Sequence, residues 1–179
     1  MAIQPNVSAL SDAARWTEVE EATELLHEER FREAMAELRR VLAADPKNAY
    51  AYHYLGVAFF EIGEIESARD AYAACLKLAP QYLGARVALS HVLRTLGDSR
   101  AALREAIVAL SQAPGDGDAL YAVALAQNAR GDGAAARRSL EAFLATSPEF
   151  EVSVEARALL ASLTLEAGPS NDSDDEDDG

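Results

Sequence analysis

Four prolines, Pro46, Pro80, Pro114 and Pro148, stand at a constant interval of 34 residues. A fixed period of this length marks a repeat array, in which one short supersecondary unit recurs and buries its apolar face against its neighbours. The interval constrains the chain more than any other feature. It also moves the question of function away from a single catalytic pocket and towards the surface along which units stack. Gly63, Gly97 and Gly131 share the period, and so do Ala34, Ala68, Ala102 and Ala136.

Within one period the pattern is helical. Tyr52, Leu55, Gly56 and Phe59 recur at the spacings that share one helix face. Gly63-Glu64 interrupts, and Ile65, Ala68, Tyr72, Leu76 and Leu78 build a second amphipathic stretch. Asn48 is placed to cap the first helix. Pro80 stops the second, because proline lacks the amide donor and clashes with the preceding turn. Small residues at Gly56, Ala68 and Cys75 let the paired helices approach closely. A helix of about 14 residues is marginal alone in water, so stability has to come from burial between helices and between units. Half of the residues are hydrophobic, alanine above all, which makes a helical domain with a continuous core feasible.

The second unit, Tyr52-x2-Leu55-Gly56-x2-Phe59, then Gly63, Ala68-x3-Tyr72 and Pro80, resembles the tetratricopeptide repeat family, whose pattern is W-x2-L-G-x2-Y, A-x3-F and P. The third unit follows with Leu89-Ser90-x2-Leu93, Gly97, Ala102, Ala109 and Pro114. The fourth has Leu120-x2-Val123-Ala124, Gly131, Ala136-x3-Leu140 and Pro148. The first keeps Ala22, Leu25, Ala34-x3-Leu38 and Asp45-Pro46, but carries Glu18 and Glu21 where the family has large apolar residues. Terminal units need a polar outer face, so this departure reads as N-terminal capping.

The resemblance implies an all-α fold: a right-handed α-solenoid of four tetratricopeptide helix–turn–helix repeats over residues 12–148, in units of about 15–48, 49–82, 83–116 and 117–150. Residues 1–11 are expected to be a flexible N-terminal segment. Residues 149–167, with Phe150, Val152, Val154, Leu159, Leu160, Leu163 and Leu165, are expected to form a C-terminal capping helix. The rival reading is a self-association surface, because the apolar positions spread over much of that helix. Residues 168–179, dense in aspartate, are expected to be a disordered acidic tail.

The formal net charge is −14, unevenly shared. Residues 1–82 carry 14 acidic and 8 basic side chains, residues 83–147 carry 6 and 7, and residues 148–179 carry 10 and 1. This excess argues against nucleic-acid binding, which needs a basic footprint. The tail serves solubility, or docks on a basic partner or on the less acidic third and fourth units. The N-terminus has no basic segment followed by an apolar run, so no secretory signal is expected. No apolar stretch approaches the roughly 20 residues that span a bilayer, so no membrane insertion is expected and the localisation is read as cytoplasmic. The single cysteine excludes an internal disulfide, and Cys75 stands at a small-residue position that favours packing over reactivity.

In repeats of this family the first helix of each unit lines the concave surface. Carried over by register, the resemblance implies a partner-binding groove made of Trp16, Val19, Thr23 and His27 from the first unit. Tyr50, His53, Val57 and Phe60 follow from the second, Val87, His91 and Arg94 from the third, and Tyr121, Leu125 and Asn128 from the fourth. All three histidines and the only tryptophan fall in this set. Aromatic and apolar residues on such a surface are what binding hot spots are made of. The bland alternative is that Val19, Val57 and Leu125 merely pack between neighbouring first helices. With histidines in the lining, partner binding is expected to weaken in mildly acidic solution.

Family members that clamp a C-terminal carboxylate need basic residues and asparagines at defined inward positions. Here those positions hold Val19, Thr23, Tyr54, Gly84 and Ala88, and one unit further along His53, Val57, Ala88, Asp118 and Ala122. Carboxylate-clamp binding of chaperone C-termini is therefore not expected. No phosphate-cradling loop, H-E-x-x-H or cysteine pair is present. No catalytic residue, cofactor or metal site is expected, and the chain is read as non-enzymatic. The expected function is a protein–protein interaction adaptor or chaperone-like module that takes a partly apolar partner segment. The alternative is a structural assembly subunit that forms homo-oligomers through its C-terminal helix and fourth repeat.

Overall fold

The structure, a computed structural model, describes residues 11–166. The expected flexible segment, apart from its last residue, and the expected acidic tail at 168–179 lie outside the described residues. Those residues form helices only: α1 Asp12–Thr17, α2 Glu20–His27, α3 Phe31–Ala44, α4 Ala49–Glu61, α5 Ile65–Leu78, α6 Leu83–Thr95, α7 Ser99–Gln112, α8 Gly117–Ala129, α9 Gly133–Ala145 and α10 Phe150–Glu166. The period survives in the helix starts. Ala49, Leu83 and Gly117 open α4, α6 and α8 at 34-residue steps, as Phe31, Ile65, Ser99 and Gly133 open α3, α5, α7 and α9. The all-α architecture of helical repeats is thus observed.

Two devices set the helix ends. Helices α3, α5 and α7 stop at Ala44, Leu78 and Gln112, just ahead of Pro46, Pro80 and Pro114. A proline pushes the residue before it out of the α-region; Asp45 and Ala79 sit at φ −128°, ψ 91° and φ −132°, ψ 79°. Inside each hairpin the chain instead turns through a left-handed glycine, at φ 82° for Gly63, 83° for Gly97 and 79° for Gly131. The Gly63 amide donates to the Phe60 carbonyl at 3.0 Å and the Glu64 amide to that of Phe59 at 2.8 Å. This reciprocal pattern satisfies the last carbonyls of the helix, and glycine takes the conformation at the least steric cost.

The described residues divide between Asp98 and Ser99 into two compact units. In the first, α2, α3 and α4 enclose Val19, Ala22, Met35, Leu38, Leu55 and Ala58, while Tyr72, Cys75, Ala85, Leu89 and Val92 join α5 to α6. A Cβ on Gly56 would lie 2.6 Å from the Tyr72 ring, so only glycine lets α4 lie this close to α5. Burial pushes the Cys75 thiol up to about 12, which suits packing and not reactivity. Asn48 caps α4 as expected: its Oδ1 accepts from the Ala51 amide at 3.1 Å. Its Nδ2 donates to the Arg15 carbonyl at 3.0 Å, tying the cap back to α1. Arg15 pairs with Asp45 at 2.8 Å and holds that carboxyl below the usual range.

In the second unit, Ala124, Ala136, Leu140 and Phe143 pack with Ala156 and Leu163 of α10. The last amphipathic stretch is thus a helix lying on α9, with Leu163 within 3.4 Å of where a Gly133 Cβ would be. No helix among the described residues is long and apolar enough to cross a membrane.

Candidate functional site

Helix α4 displays Tyr50, His53, Tyr54, Val57 and Glu61 at spacings that form one stripe. Around the stripe the first unit builds a chain of rings. Trp16 meets Tyr50 edge-on at 5.6 Å and Tyr54 at 6.0 Å. Tyr50 meets Tyr82 at 5.7 Å, and His53 lies stacked on Tyr82 at 4.8 Å. His53 also contacts Tyr54 and Tyr72, at 5.0 and 5.7 Å. Edge-on and offset pairs at these separations stabilise and rigidify the surface they form.

Two cavities flank the rings. The larger, about 590 Å³, has walls of Trp16, Leu26, Phe31, Tyr54 and Val57, with Thr23, His27, Glu29 and Glu61 as its polar lining. The smaller, about 240 Å³, is bounded by Phe60, Tyr72, Ala88, His91, Val92, Arg94 and Thr95. Trp16 and Phe60 remain 40% and 39% exposed, large rings presented to solvent beside half-buried Tyr50, His53, Tyr54 and Tyr82 and buried Tyr72.

The structure therefore brings Trp16, Thr23, His27 and Val57 together at one cavity and Phe60, His91 and Arg94 at the other, with Tyr50 and His53 in the ring chain. Two groove residues need correction. Val19 has no exposed surface and cannot touch a ligand, and Val87, only 9% exposed, belongs mainly to the core. Val19 is buried at a break between α1 and α2, where its amide bonds the carbonyl three residues back, of Trp16, at 3.0 Å. In the second unit Tyr121 is half-buried and stacks on Phe143 at 4.7 Å, while Leu125 and Asn128 are also half-buried.

The histidine expectation also changes. Burial among tyrosine rings lowers the His53 imidazole to about 4, and its Nδ1 has no hydrogen-bond partner. The ring stays neutral in mildly acidic solution. Burial likewise raises the Tyr54, Tyr72 and Tyr82 phenols above the usual range.

Phe31 and Glu29 are site residues that pattern reading missed, and Tyr54 was named only as an inward position unsuited to a carboxylate clamp. Tyr54 was legible, since it follows Tyr50 by four and shares its stripe. Glu29 was legible too: it stands 34 residues before Gly63, and it takes the same left-handed turn at φ 58°.

Comparison with known proteins agrees with the fold. Residues 19–82 match the tetratricopeptide repeat family model. Among curated proteins no sequence matches the chain. In fold it is similar to MamA (residue 41 to the end) from Desulfovibrio magneticus, with a TM-score of 0.76 and 17% identity over 89% of this chain and 88% of that one. It is also similar to TTC0263, a thermophilic tetratricopeptide-repeat protein of Thermus thermophilus, with a TM-score of 0.68 and 23% identity over 87% and 84%. The first repeat domain of Spaghetti (RPAP3), bound to the HSP90 peptide SRMEEVD, matches with a TM-score of 0.58 and 19% identity over 65% and 93%. At these identities the likeness is one of fold. The proline and glycine period, the repeating helix starts and the family match together identify residues 19–82 as tetratricopeptide repeats and give the described helices the fold of such repeats.

Proposed function

We propose that the chain is a non-enzymatic, cytoplasmic adaptor or chaperone-like module that holds a partly apolar segment of a partner polypeptide against the ring-lined surface of its first unit. Tetratricopeptide repeats mediate contacts between proteins, which fits this reading. The observation that carries it is the pairing of a large aromatic-walled cavity with two exposed rings, Trp16 and Phe60, mounted on a rigid aromatic layer. Rings fixed in advance lose little freedom on binding, so more of their burial energy becomes affinity. The test is affinity capture with wild type and with a Trp16→Ala, Phe60→Ala double variant, read by mass spectrometry. Because both rings are substantially exposed, the variant should keep its helical circular dichroism and lose its partners. An unchanged set of captured proteins would remove this reading.

One observation favours a second reading, assembly through α10. Phe150, Val154, Ala158, Ala161 and Leu165 are all exposed and follow the spacing of one helix face, with Phe150 81% and Leu165 83% exposed. A second copy could cover this stripe. Size-exclusion chromatography of the full chain should then show a concentration-dependent dimer that Val154→Glu with Leu165→Glu abolishes. A monomer at all concentrations leaves the first reading alone.

A further inference from the structure

The larger cavity is not uniformly greasy. Glu29 and Glu61 line it, no lysine or arginine among the described residues does, and neither carboxylate has an ion-pair partner there. Neighbouring acids are different. Glu28 and Glu33 both pair with Arg30, at 2.8 and 2.7 Å, and Glu37 pairs with Arg40. Glu29 and Glu61, by contrast, border the aromatic cavity with no cation beside them, so the cavity carries their negative charge.

Glu29 stands out for a second reason. The hairpin turns at Gly63, Gly97 and Gly131 use glycine, whereas the equivalent turn of the first repeat uses Glu29. The hydrogen bonding is the same: the Glu29 amide donates to the Leu26 carbonyl at 3.0 Å and the Arg30 amide to that of Leu25 at 2.9 Å. A side chain at positive φ is disfavoured, so glutamate here costs stability that glycine would not. What the first repeat gains over the others is a carboxylate at the mouth of the cavity.

We infer that this cavity receives a basic side chain, arginine or lysine, flanked by apolar residues of the partner, with Glu29 and Glu61 as its counter-charges and Trp16 and Tyr54 as its ring walls. Charge complementarity selects this occupant. A cation between a ring face and an unpaired carboxylate is favoured on both sides, whereas an acidic segment would meet two like charges. This inference rests on the proposed function and narrows it to basic–apolar segments.

Trp16 is the only tryptophan, so its fluorescence reports occupancy of the cavity directly. The probes are three blocked heptapeptides of composition Gly-Ser-Leu-X-Leu-Ser-Gly, with arginine, its neutral isostere citrulline, or glutamate at X. The arginine peptide should bind about fivefold or more tighter than the citrulline peptide, with the preference shrinking at high salt, and the glutamate peptide should be weakest. Glu29→Gly and Glu29→Gln should both lose most of that preference. Only Glu29→Gly should also raise Tm, by about 2–4 °C, because only it relieves the turn. Equal affinity for the arginine and citrulline peptides would overturn the inference while leaving groove binding intact. A stabilised Glu29→Gly that keeps full preference would overturn it as well. Failure of all three peptides to change Trp16 emission would reject both this inference and the reading beneath it.

Discussion

Helices α4 and α8 hold the same place in their repeats, 68 residues apart, and share almost nothing at the surface. Where α4 has His53, Tyr54, Phe60 and Glu61, α8 has Tyr121, Ala122, Asn128 and Ala129. Helix α8 buries Ala119, Ala122, Val123, Ala124 and Ala126, and its one ring stacks on Phe143 inside the second unit. Helix α4 also buries small residues, Ala51, Gly56 and Ala58, but it sends rings outward from the opposite stripe. The difference shows that repeat register decides where a helix lies. Side-chain volume on the remaining face decides whether that helix presents a surface to another molecule.

The largest expected effect that sharpens this contrast concerns His53, in whose place α8 has Tyr121. The folded value of about 4 lies below the ordinary 6.5, so between the two the unfolded chain binds more protons than the folded one. This stability is complete above the ordinary value and is lost as pH falls towards the folded value, by on the order of 2–3 kcal/mol. Urea titrations at a series of pH values should show His53→Phe losing less stability in acid than wild type. Parallel curves for the two proteins would mean that the imidazole is not held neutral by its rings.

Smaller effects should separate the helix caps. Asn48 is fully buried, and its side chain serves the Ala51 amide of α4 and the Arg15 carbonyl of α1 at once. Asp116 caps α8 through one bond, to the Ala119 amide at 2.9 Å. Asn48→Ala should cost about 2 kcal/mol, since it removes a cap and also the bond to the part-buried Arg15 carbonyl. Asp116→Ala should cost about 1 kcal/mol. Equal losses in thermal unfolding would deny that the α1–α4 junction is the more tightly tied of the two.

Much of the architecture was legible in the chain because its determinants are local. A proline disfavours helix at the residue before it, and a glycine permits a left-handed turn, both through contacts within the local backbone. Asn48 could be named as a cap for the same reason. The site was less legible. Register placed Val19 and Val87 on the groove, yet both point into the core, since a shift of one position on a helix turns a side chain by about 100°. It left Tyr54, an inward position sharing a stripe with Tyr50, out of the groove set, and it passed over Glu29, which interrupts a glycine series.

The amino-acid order alone determined the repeat length, most of the helix boundaries and the resemblance to tetratricopeptide repeats, because each follows from residues whose backbone preferences act within a few positions. Only the tertiary structure decided which aromatic rings line a cavity and which fill the interior, that His53 is desolvated, and that Glu29 and Glu61 border the same hollow without partners. Those properties depend on distances between segments far apart along the chain, and such distances are set by packing.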